Sequence, residues 1–247
     1  MVSPVRGALA ARFALGYSPA VITPIVAIDG PAGAGKSTVA RQLARRLGFT
    51  MIDTGAIYRS VALAARRGGV AWDDDAGLGK LLDGGLGLVF REERVILRDH
   101  DVTEAIRTPE ISRGASVVSA RPVVRERLLG LQRELGLSAA RGAVLEGRDI
   151  GTIVFPEAQV KFFLTASDEA RAQRRYAELS EKGIAVNLTD VLADQRSRDK
   201  DDSERTIAPL RAAPDAIRVD TTGIDLDTVV ERCFQEASAR LQQLRQA

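Results

Sequence analysis

One short stretch constrains the fold of this chain more than any other. Residues 30–37 read GPAGAGKS and match the pattern G-x-x-x-x-G-K-[ST]. An apolar run at residues 25–29 precedes the stretch, and Val39, Leu43 and Leu47 then recur every fourth residue, as on one face of a helix. A buried strand, a glycine-rich turn and a helix are the context that the pattern requires. The feature therefore predicts an α/β fold built on a mainly parallel sheet.

The chemistry of this loop follows from its residues. Glycines allow backbone N–H groups to surround phosphate oxygens, and the N-terminus of the following helix attracts the same anion. Lys36 can reach the β- and γ-phosphates of a nucleoside triphosphate, and the Ser37 hydroxyl can ligate Mg²⁺. We therefore predict an ATP site, with Mg²⁺ as cofactor and Ser37 as its metal ligand. Its residues in this loop are Gly30, Pro31, Ala32, Gly33, Ala34, Gly35, Lys36, Ser37 and Thr38.

Further strands and helices alternate along the chain. Apolar runs predict strands at residues 50–53, 143–146, 160–164 and 217–220, with helices between or after them. Residues 86–107 depart from this rhythm, because apolar residues alternate on both sides of a polar turn, as in antiparallel strands. We expect a three-layer P-loop NTPase-type fold, in which helices flank a parallel sheet and a small antiparallel sheet is inserted.

Helix ends are marked by proline and glycine. One helix is predicted to begin near Thr54 and to end at Gly68, and two others open at Pro109 and Pro122, because proline suits the first helical position. The last helix is predicted at about residues 226–244.

Composition narrows the choice of partners. The chain has 35 Lys and Arg against 33 Asp and Glu, but residues 1–24 hold two of the arginines and no acid. The remainder is formally neutral, whereas a protein that binds nucleic acid usually carries a basic excess. One cysteine and one histidine exclude a multi-Cys or multi-His metal centre and fit a reducing cytoplasm. The longest uncharged run, residues 13–28, is broken by prolines and too short for a membrane span.

Residues 1–24 allow two interpretations. An arginine near the start and some apolar content resemble a secretory signal, but Arg12 interrupts the apolar part and no clear cleavage site follows. We therefore expect a disordered extension ahead of a single domain at residues 25–247.

The loop motif alone leaves the second substrate open. A GTPase, an ATP-driven motor or a small-molecule kinase all use such a loop. No N-K-x-D motif that would read guanine is present, and no D-x-x-G switch motif stands directly after the second strand. Motors are normally larger, and no strand ends in adjacent carboxylates that would activate water. A small-molecule kinase fits best.

Three further stretches point to one family. They are IDTGAIYR at residues 52–59, EGRDIGTIVFP at residues 146–156, and residues 198–210, in which RD is followed by RTIAPL. Together they resemble bacterial cytidylate kinase, a P-loop nucleoside-monophosphate kinase that phosphorylates CMP and dCMP from ATP. The resemblance covers residues 25–244. It implies a monophosphate-binding insert at about residues 54–137, a helical lid at about residues 171–205, and a cytoplasmic monomer.

The resemblance also implies roles for individual residues. Arg59 and Arg148 would hold the acceptor phosphate, and Thr54 would supply a hydroxyl contact. Asp202 would accept a hydrogen bond from the exocyclic amine of cytosine, which uracil lacks. The predicted CMP site is Thr54, Arg59, Ser116, Arg125, Arg148, Asp149, Asp202 and Arg205. The predicted catalytic residues are Lys36, Arg148, Arg198 and Arg205, with Arg174 as a further ATP-binding residue.

The charged stretch at residues 196–205 fits the lid. Eight of its ten residues are charged, four of each sign. We interpret it as a loop whose arginines, together with those at 171, 174 and 175, close over ATP and neutralise the transferring phosphoryl group. The interleaved acids would keep this loop from repelling itself while it is open.

Two alternatives remain open at this point, together with the role of Glu146. The first is a kinase of the same architecture that acts on UMP, AMP or a small metabolite. The second is a nucleotide-dependent binding module or RNA-binding module that hydrolyses ATP slowly and transfers to no acceptor. Phosphoryl transfer to a monophosphate needs no general base, since the second pKa of a phosphate is about 6.

Overall fold

A computed structural model describes residues 23–91 and 94–246 of the chain. The predicted N-terminal extension lies almost entirely outside these residues. The strands are β1 (Ile25–Asp29), β2 (Thr50–Asp53), β3 (Leu88–Arg91), β4 (Arg94–Leu97), β5 (His100–Asp101), β6 (Ala143–Gly147), β7 (Val160–Thr165) and β8 (Ile217–Asp220). The helices are α1 (Lys36–Leu47), α2 (Thr54–Arg67), α3 (Asp75–Asp83), α4 (Pro109–Ser119), α5 (Pro122–Leu137), α6 (Asp168–Glu181), α7 (Leu188–Glu204) and α8 (Leu226–Gln246), with a 3₁₀ turn at Ala105–Arg107 and a π-helical turn at Ile150–Val154.

The main sheet is parallel and has the strand order β2-β6-β1-β7-β8. Its centre is β1, where Ile28 lies opposite Glu146 of β6 on one side and Phe162 of β7 on the other. The five predicted strands are confirmed, each within one residue of the expected ends. The P-loop of residues 30–35 therefore leaves the carboxyl end of the central strand, where ligands bind in open α/β sheets.

Side chains of β1 alternate between the two faces of the sheet. Val26 and Ile28 pack in one hydrophobic cluster with residues of α1 and α8. Ile25 and Ala27 pack in another, which includes Ile150 and residues at the end of α5. Because both faces of the sheet are buried against helical elements, the fold has three layers, as predicted.

The inserted sheet is also confirmed. It is antiparallel, with the order β3-β4-β5, and pairs Val89 with Ile96. Its buried side chains share a hydrophobic cluster with α2, α3, α4 and α5. Helix α3, which sequence patterning did not reveal, begins after Asp74, whose carboxylate accepts a hydrogen bond from the Gly77 amide.

The prediction of a loop at residues 196–205 is wrong. This stretch continues α7 to Glu204, because its charges find partners on α6. Arg196 pairs with Asp168, and Asp199 pairs with Arg171. By contrast, the helix starts at prolines 109 and 122 are confirmed.

No helix among residues 23–91 and 94–246 is long and apolar enough to cross a membrane. Within the same residues, no group of three or more His, Cys, Asp or Glu side chains is placed to hold a metal ion.

Candidate active site

A cleft of about 600 Å³ opens at the carboxyl ends of β1, β2 and β6, and residues of α6 and α7 also line it. Segments far apart in the chain meet in it. Of the predicted site residues, those that line the cleft are Ala32, Gly33, Gly35, Lys36, Ser37, Thr38, Thr54, Arg59, Ser116, Arg125, Arg148, Asp149, Arg174, Arg198, Asp202 and Arg205. Gly30, Pro31 and Ala34 belong to the P-loop but not to the cleft lining.

The P-loop is shaped for an anion. Gly33 has a φ of +75°, and a Cβ there would lie 2.8 Å from the amide nitrogen of Gln195. Helix α1 begins directly after the loop and has no acidic residue in its first turn, so its amides present an uncompensated positive end. The Lys36 ammonium donates to the Pro31 carbonyl at 2.7 Å, which holds the lysine against its own loop.

Lys36 is buried, and burial together with the nearby Arg148 lowers its pKa to about 7. A bound polyphosphate would supply the opposite charge that restores the ammonium form. Glu146 lies in the same pocket with 4% of its surface exposed, and burial, reinforced by Asp53, raises its pKa. Lys36 and the Ser37 hydroxyl act in the other direction on Glu146.

Arg59 and Thr54 stand at the start of α2. The Arg59 guanidinium pairs with Asp53 at 2.7 Å, and Asp53 also caps the helix by accepting from the Ala56 amide at 2.8 Å. The Thr54 hydroxyl donates its proton to the Glu146 carbonyl at 2.6 Å, so toward a ligand in the cleft it can act only as an acceptor. Asp53 thus orients the arginine expected to hold an acceptor phosphate.

Arg148 and Arg205 converge on one carboxylate. Asp202 accepts from Arg148 Nε at 2.8 Å and lies 3.6 Å from Arg205 Nη1. Arg148 comes from the loop after β6, whereas Asp202 and Arg205 lie at the end of α7. This contact joins the two segments across the cleft.

Arg125 forms a second buried pair, with Asp149. Arg125 is 8% exposed, and its guanidinium also donates to the Ser119 carbonyl at 3.2 Å and lies 5.7 Å from the centre of the Tyr58 ring. Burial raises the pKa of Asp149, which Arg125 and Arg205 oppose. Ser116 lies on α4 in the same wall of the cleft.

Helices α6 and α7 touch the P-loop directly. Arg171 donates to the Ala32 carbonyl at 3.0 Å, and Gln195 donates to the same oxygen at 2.8 Å. Arg174 donates to Thr221 and, at 3.4 Å, to the Gly33 carbonyl. Arg198 pairs with Asp194 on its own helix at 2.8 Å. The structure therefore brings two of the expected lid arginines, Arg171 and Arg174, to the phosphate loop.

Sequence reasoning missed Asp53 and Gln195 and treated Tyr58 mainly as packing. Asp53 carried a usable signal, since an aspartate that ends a strand immediately before a helix suits the N-cap position. Gln195 carried no such signal, because only the packing of α7 brings it to the P-loop.

Comparisons with known proteins agree with this geometry. The family model described as cytidylate kinase matches residues 26–239. The chain is 52% identical over 221 residues to a cytidylate kinase of Syntrophotalea carbinolica, covering 88% of this chain and 93% of that protein. It is 53% identical over 212 residues to a cytidylate kinase of Geobacter sulfurreducens, with 84% and 90% covered.

Among solved structures, an uncharacterized protein from Eubacterium ventriosum shares the fold with a TM-score of 0.50 at 12% identity, covering 87% of this chain and 98% of that one. The sequence matches are far closer and extend over nearly the whole described chain. They show that this chain belongs to the cytidylate kinase family.

Proposed function

We propose that this chain transfers the γ-phosphoryl group of ATP to CMP or dCMP, giving ADP and CDP or dCDP. The observation that carries the proposal is that a single cleft joins the P-loop to arginines from five other segments. A P-loop alone would bind a triphosphate, whereas a second set of guanidinium groups opposite it fits a phosphorylated acceptor. Membership of the cytidylate kinase family supports the pyrimidine monophosphate.

The chemistry needs positioning and charge neutralisation. An oxygen of the acceptor phosphate is already anionic near neutral pH, so it attacks the γ-phosphorus without a general base. The bond from that phosphorus to the bridging oxygen breaks, and ADP leaves. Lys36, Arg148, Arg198 and Arg205 would neutralise the charge that spreads over the transferring group. Arg59 would hold the acceptor phosphate in line with it.

Mg²⁺ is the cofactor that the site fits. The Oε1 atom of Glu146 is buried and lacks a hydrogen-bond partner among the described residues, and Ser37 lies nearby. A carboxylate and a hydroxyl are hard oxygen donors of the kind that Mg²⁺ accepts, with phosphates and water completing its coordination. Ser37 and Glu146 would hold the ion. When bound, it would neutralise phosphate charge and orient the β- and γ-phosphates.

For base recognition we propose Asp149 rather than Asp202 as the carboxylate that faces cytosine. Asp202 is engaged by Arg148 and Arg205, which suits the orientation of phosphate-binding arginines. Asp149 is paired with Arg125, and the two together offer an acceptor for the exocyclic amine and a donor for the ring nitrogen. Ser116 adds a hydroxyl in the same wall.

We further propose that α6 and α7 form the lid of the enzyme, with Arg174 on the nucleotide. Their hydrogen bonds to the P-loop carbonyls would keep water from the reaction while the lid is closed. The balanced charge and the single cysteine support a cytoplasmic enzyme with no nucleic-acid partner. We expect it to act as a monomer.

The proposal is tested by identifying products. The enzyme is incubated with MgATP and CMP, and nucleotides are separated by anion-exchange chromatography. We expect CDP and ADP to accumulate in equal amounts, with CDP lost in Lys36→Ala and retained in Lys80→Ala, a change of an exposed lysine on α3. Loss of ATP without formation of CDP would contradict the proposal and favour a nucleotide-hydrolysing binding module.

A further inference from the structure

Asp29, the last residue of β1, contacts the loop after β6 but takes no direct part in the proposed transfer of the phosphoryl group. Its carboxylate is buried, with 3% of the residue exposed. Oδ1 accepts from the Ile150 amide at 2.8 Å and Oδ2 accepts from the Gly151 amide at 2.7 Å. Both oxygens are therefore engaged by successive backbone donors at the start of the π-helical turn.

These contacts link the two segments of the chain that carry the donor and acceptor residues. Asp29 immediately precedes Gly30, the first residue of the P-loop. The two amides immediately follow Arg148 and Asp149, which face the acceptor. One side chain thus joins the start of the donor loop to the end of the acceptor loop.

Other side chains secure the far end of the same turn. Arg133 of α5 donates from Nε to the Val154 carbonyl at 2.9 Å and from Nη2 to the Ile153 carbonyl at 3.1 Å. Arg133 is exposed and lies outside the residues that line the cleft. The turn is therefore held at both ends, but only the Asp29 end is adjacent to Arg148 and Asp149.

We infer that Asp29 is a positioning residue for phosphoryl transfer, because its carboxylate fixes the loop that carries Arg148 and Asp149 relative to the P-loop. Misplacement of reacting groups by about 1 Å can reduce the rate about a hundredfold. A carboxylate with two amide donors at its two oxygens restrains position more strictly than a single hydrogen bond does.

The electrostatic surroundings of the Asp29 carboxylate are unfavourable, which indicates that its role lies in the hydrogen bonds that it accepts. Burial raises the pKa of Asp29 to about 6, and Asp149 acts in the same direction, while the two amides and Lys36 oppose the shift. A buried charge is costly, and an apolar residue would suit this strand position better for stability alone.

The test is Asp29→Asn compared with Arg133→Gln. Asparagine keeps the shape but offers one acceptor oxygen and places an NH₂ group against the second amide. We expect kcat with CMP to fall about a hundredfold and KM for CMP to rise, while the dissociation constant of ATP stays unchanged. Arg133→Gln loosens the outer end of the turn, so we expect a lower Tm and unchanged kinetic constants.

Two results would overturn the inference. The first is an Asp29→Asn enzyme with wild-type kcat and KM. The second is a result in which both variants lose kcat in proportion to their loss of Tm, while KM for CMP stays unchanged. Such a result is expected if Asp29 has a purely structural role. If Asp29→Asn does not fold, Gly151→Ala tests the same contact, since its Cβ would lie 3.4 Å from Asp29 Oδ2 and 3.1 Å from Lys161 Cδ. We then expect a smaller loss with the same pattern, and unchanged kinetics would overturn the inference.

This inference rests on the proposed function, and the assay separates the two. A wild-type enzyme that forms no CDP contradicts the proposed function. A wild-type enzyme that forms CDP, with variants that behave like it, contradicts only the role of Asp29.

Discussion

The donor and acceptor sides of the cleft are built in different ways. The P-loop of the donor side is one continuous stretch whose backbone amides and single lysine would surround the phosphates, and its internal contact joins Lys36 to Pro31. The acceptor side consists of side chains from separate elements. Arg125 meets Asp149 from α5, and Arg148 meets Asp202 on α7. One side is local in sequence, whereas the other exists only after the chain has folded.

The difference shows how the acceptor side is made specific. Three of its arginines, Arg59, Arg125 and Arg148, are each held by a carboxylate. These pairs fix the guanidinium groups in place before a substrate arrives, which reduces the ordering that binding would otherwise require. The P-loop needs no such partners, because its donors are part of the backbone.

The largest effect should come from the donor side. Lys36→Ala removes the one side-chain cation of the P-loop, and we expect kcat to fall about 100- to 1,000-fold, as for loss of a preorganised donor to the transition state. Steady-state kinetics with CMP measure the effect, and Lys80→Ala serves as control. A loss of less than tenfold would mean that the arginines alone neutralise the phosphates.

On the acceptor side, Arg59→Ala should mainly raise KM for CMP. A charged hydrogen bond contributes about 1.5–3 kcal/mol, so we expect an increase of about 10- to 100-fold with little change in KM for ATP. Arg66→Ala, on the outer surface of the same helix and paired with Glu110, should leave both constants unchanged. Unaltered CMP kinetics in Arg59→Ala would mean that another residue holds the acceptor phosphate.

Asp149→Asn should change base selectivity. The amide can donate to the O4 carbonyl of uracil, so we expect the ratio of kcat/KM for CMP over UMP to fall about tenfold. Asp83→Asn breaks the surface pair with Arg127 of α5 and should not change that ratio. If the ratio of kcat/KM for CMP over UMP changed in Asp202→Asn but not in Asp149→Asn, Asp202 would be the residue that contacts the base.

The last effect concerns the pH dependence of stability and not the kinetics of transfer. The pKa of Asp29 is raised to about 6 from an ordinary 3.8, so the folded chain binds this proton more tightly than the unfolded chain does. Asp29 therefore favours folding at pH 4 and below, and this contribution, on the order of 3 kcal/mol, is lost as the pH rises to about 6.

Chemical denaturation between pH 4 and 7 measures this effect as a difference between wild type and Asp29→Asn. We expect the stability of the wild type relative to the variant to decrease over that interval. A relative stability that stays constant or increases with pH would contradict the raised pKa.

The division between features that are local in sequence and features that form only on folding also explains what could be predicted from the sequence. The five main strands, the P-loop and the proline-marked helix starts depend on neighbouring residues, and all are confirmed. The interpretation of residues 196–205 as a loop is wrong because the partners of this stretch, Asp168 and Arg171, lie on another helix. The resemblance gives the base contact to Asp202, and the sequence could not weigh Asp149 against it, because Arg125 and Arg148 meet these two carboxylates only in the folded chain.

The central claim is that the cleft selects a cytidine monophosphate as acceptor. Values of kcat/KM for CMP, dCMP, UMP and AMP, measured on the wild-type enzyme with saturating MgATP, test that claim most directly. We predict that CMP and dCMP exceed UMP and AMP by at least about tenfold, as one matched base contact provides. Rates on UMP or AMP equal to or above those on CMP would contradict it.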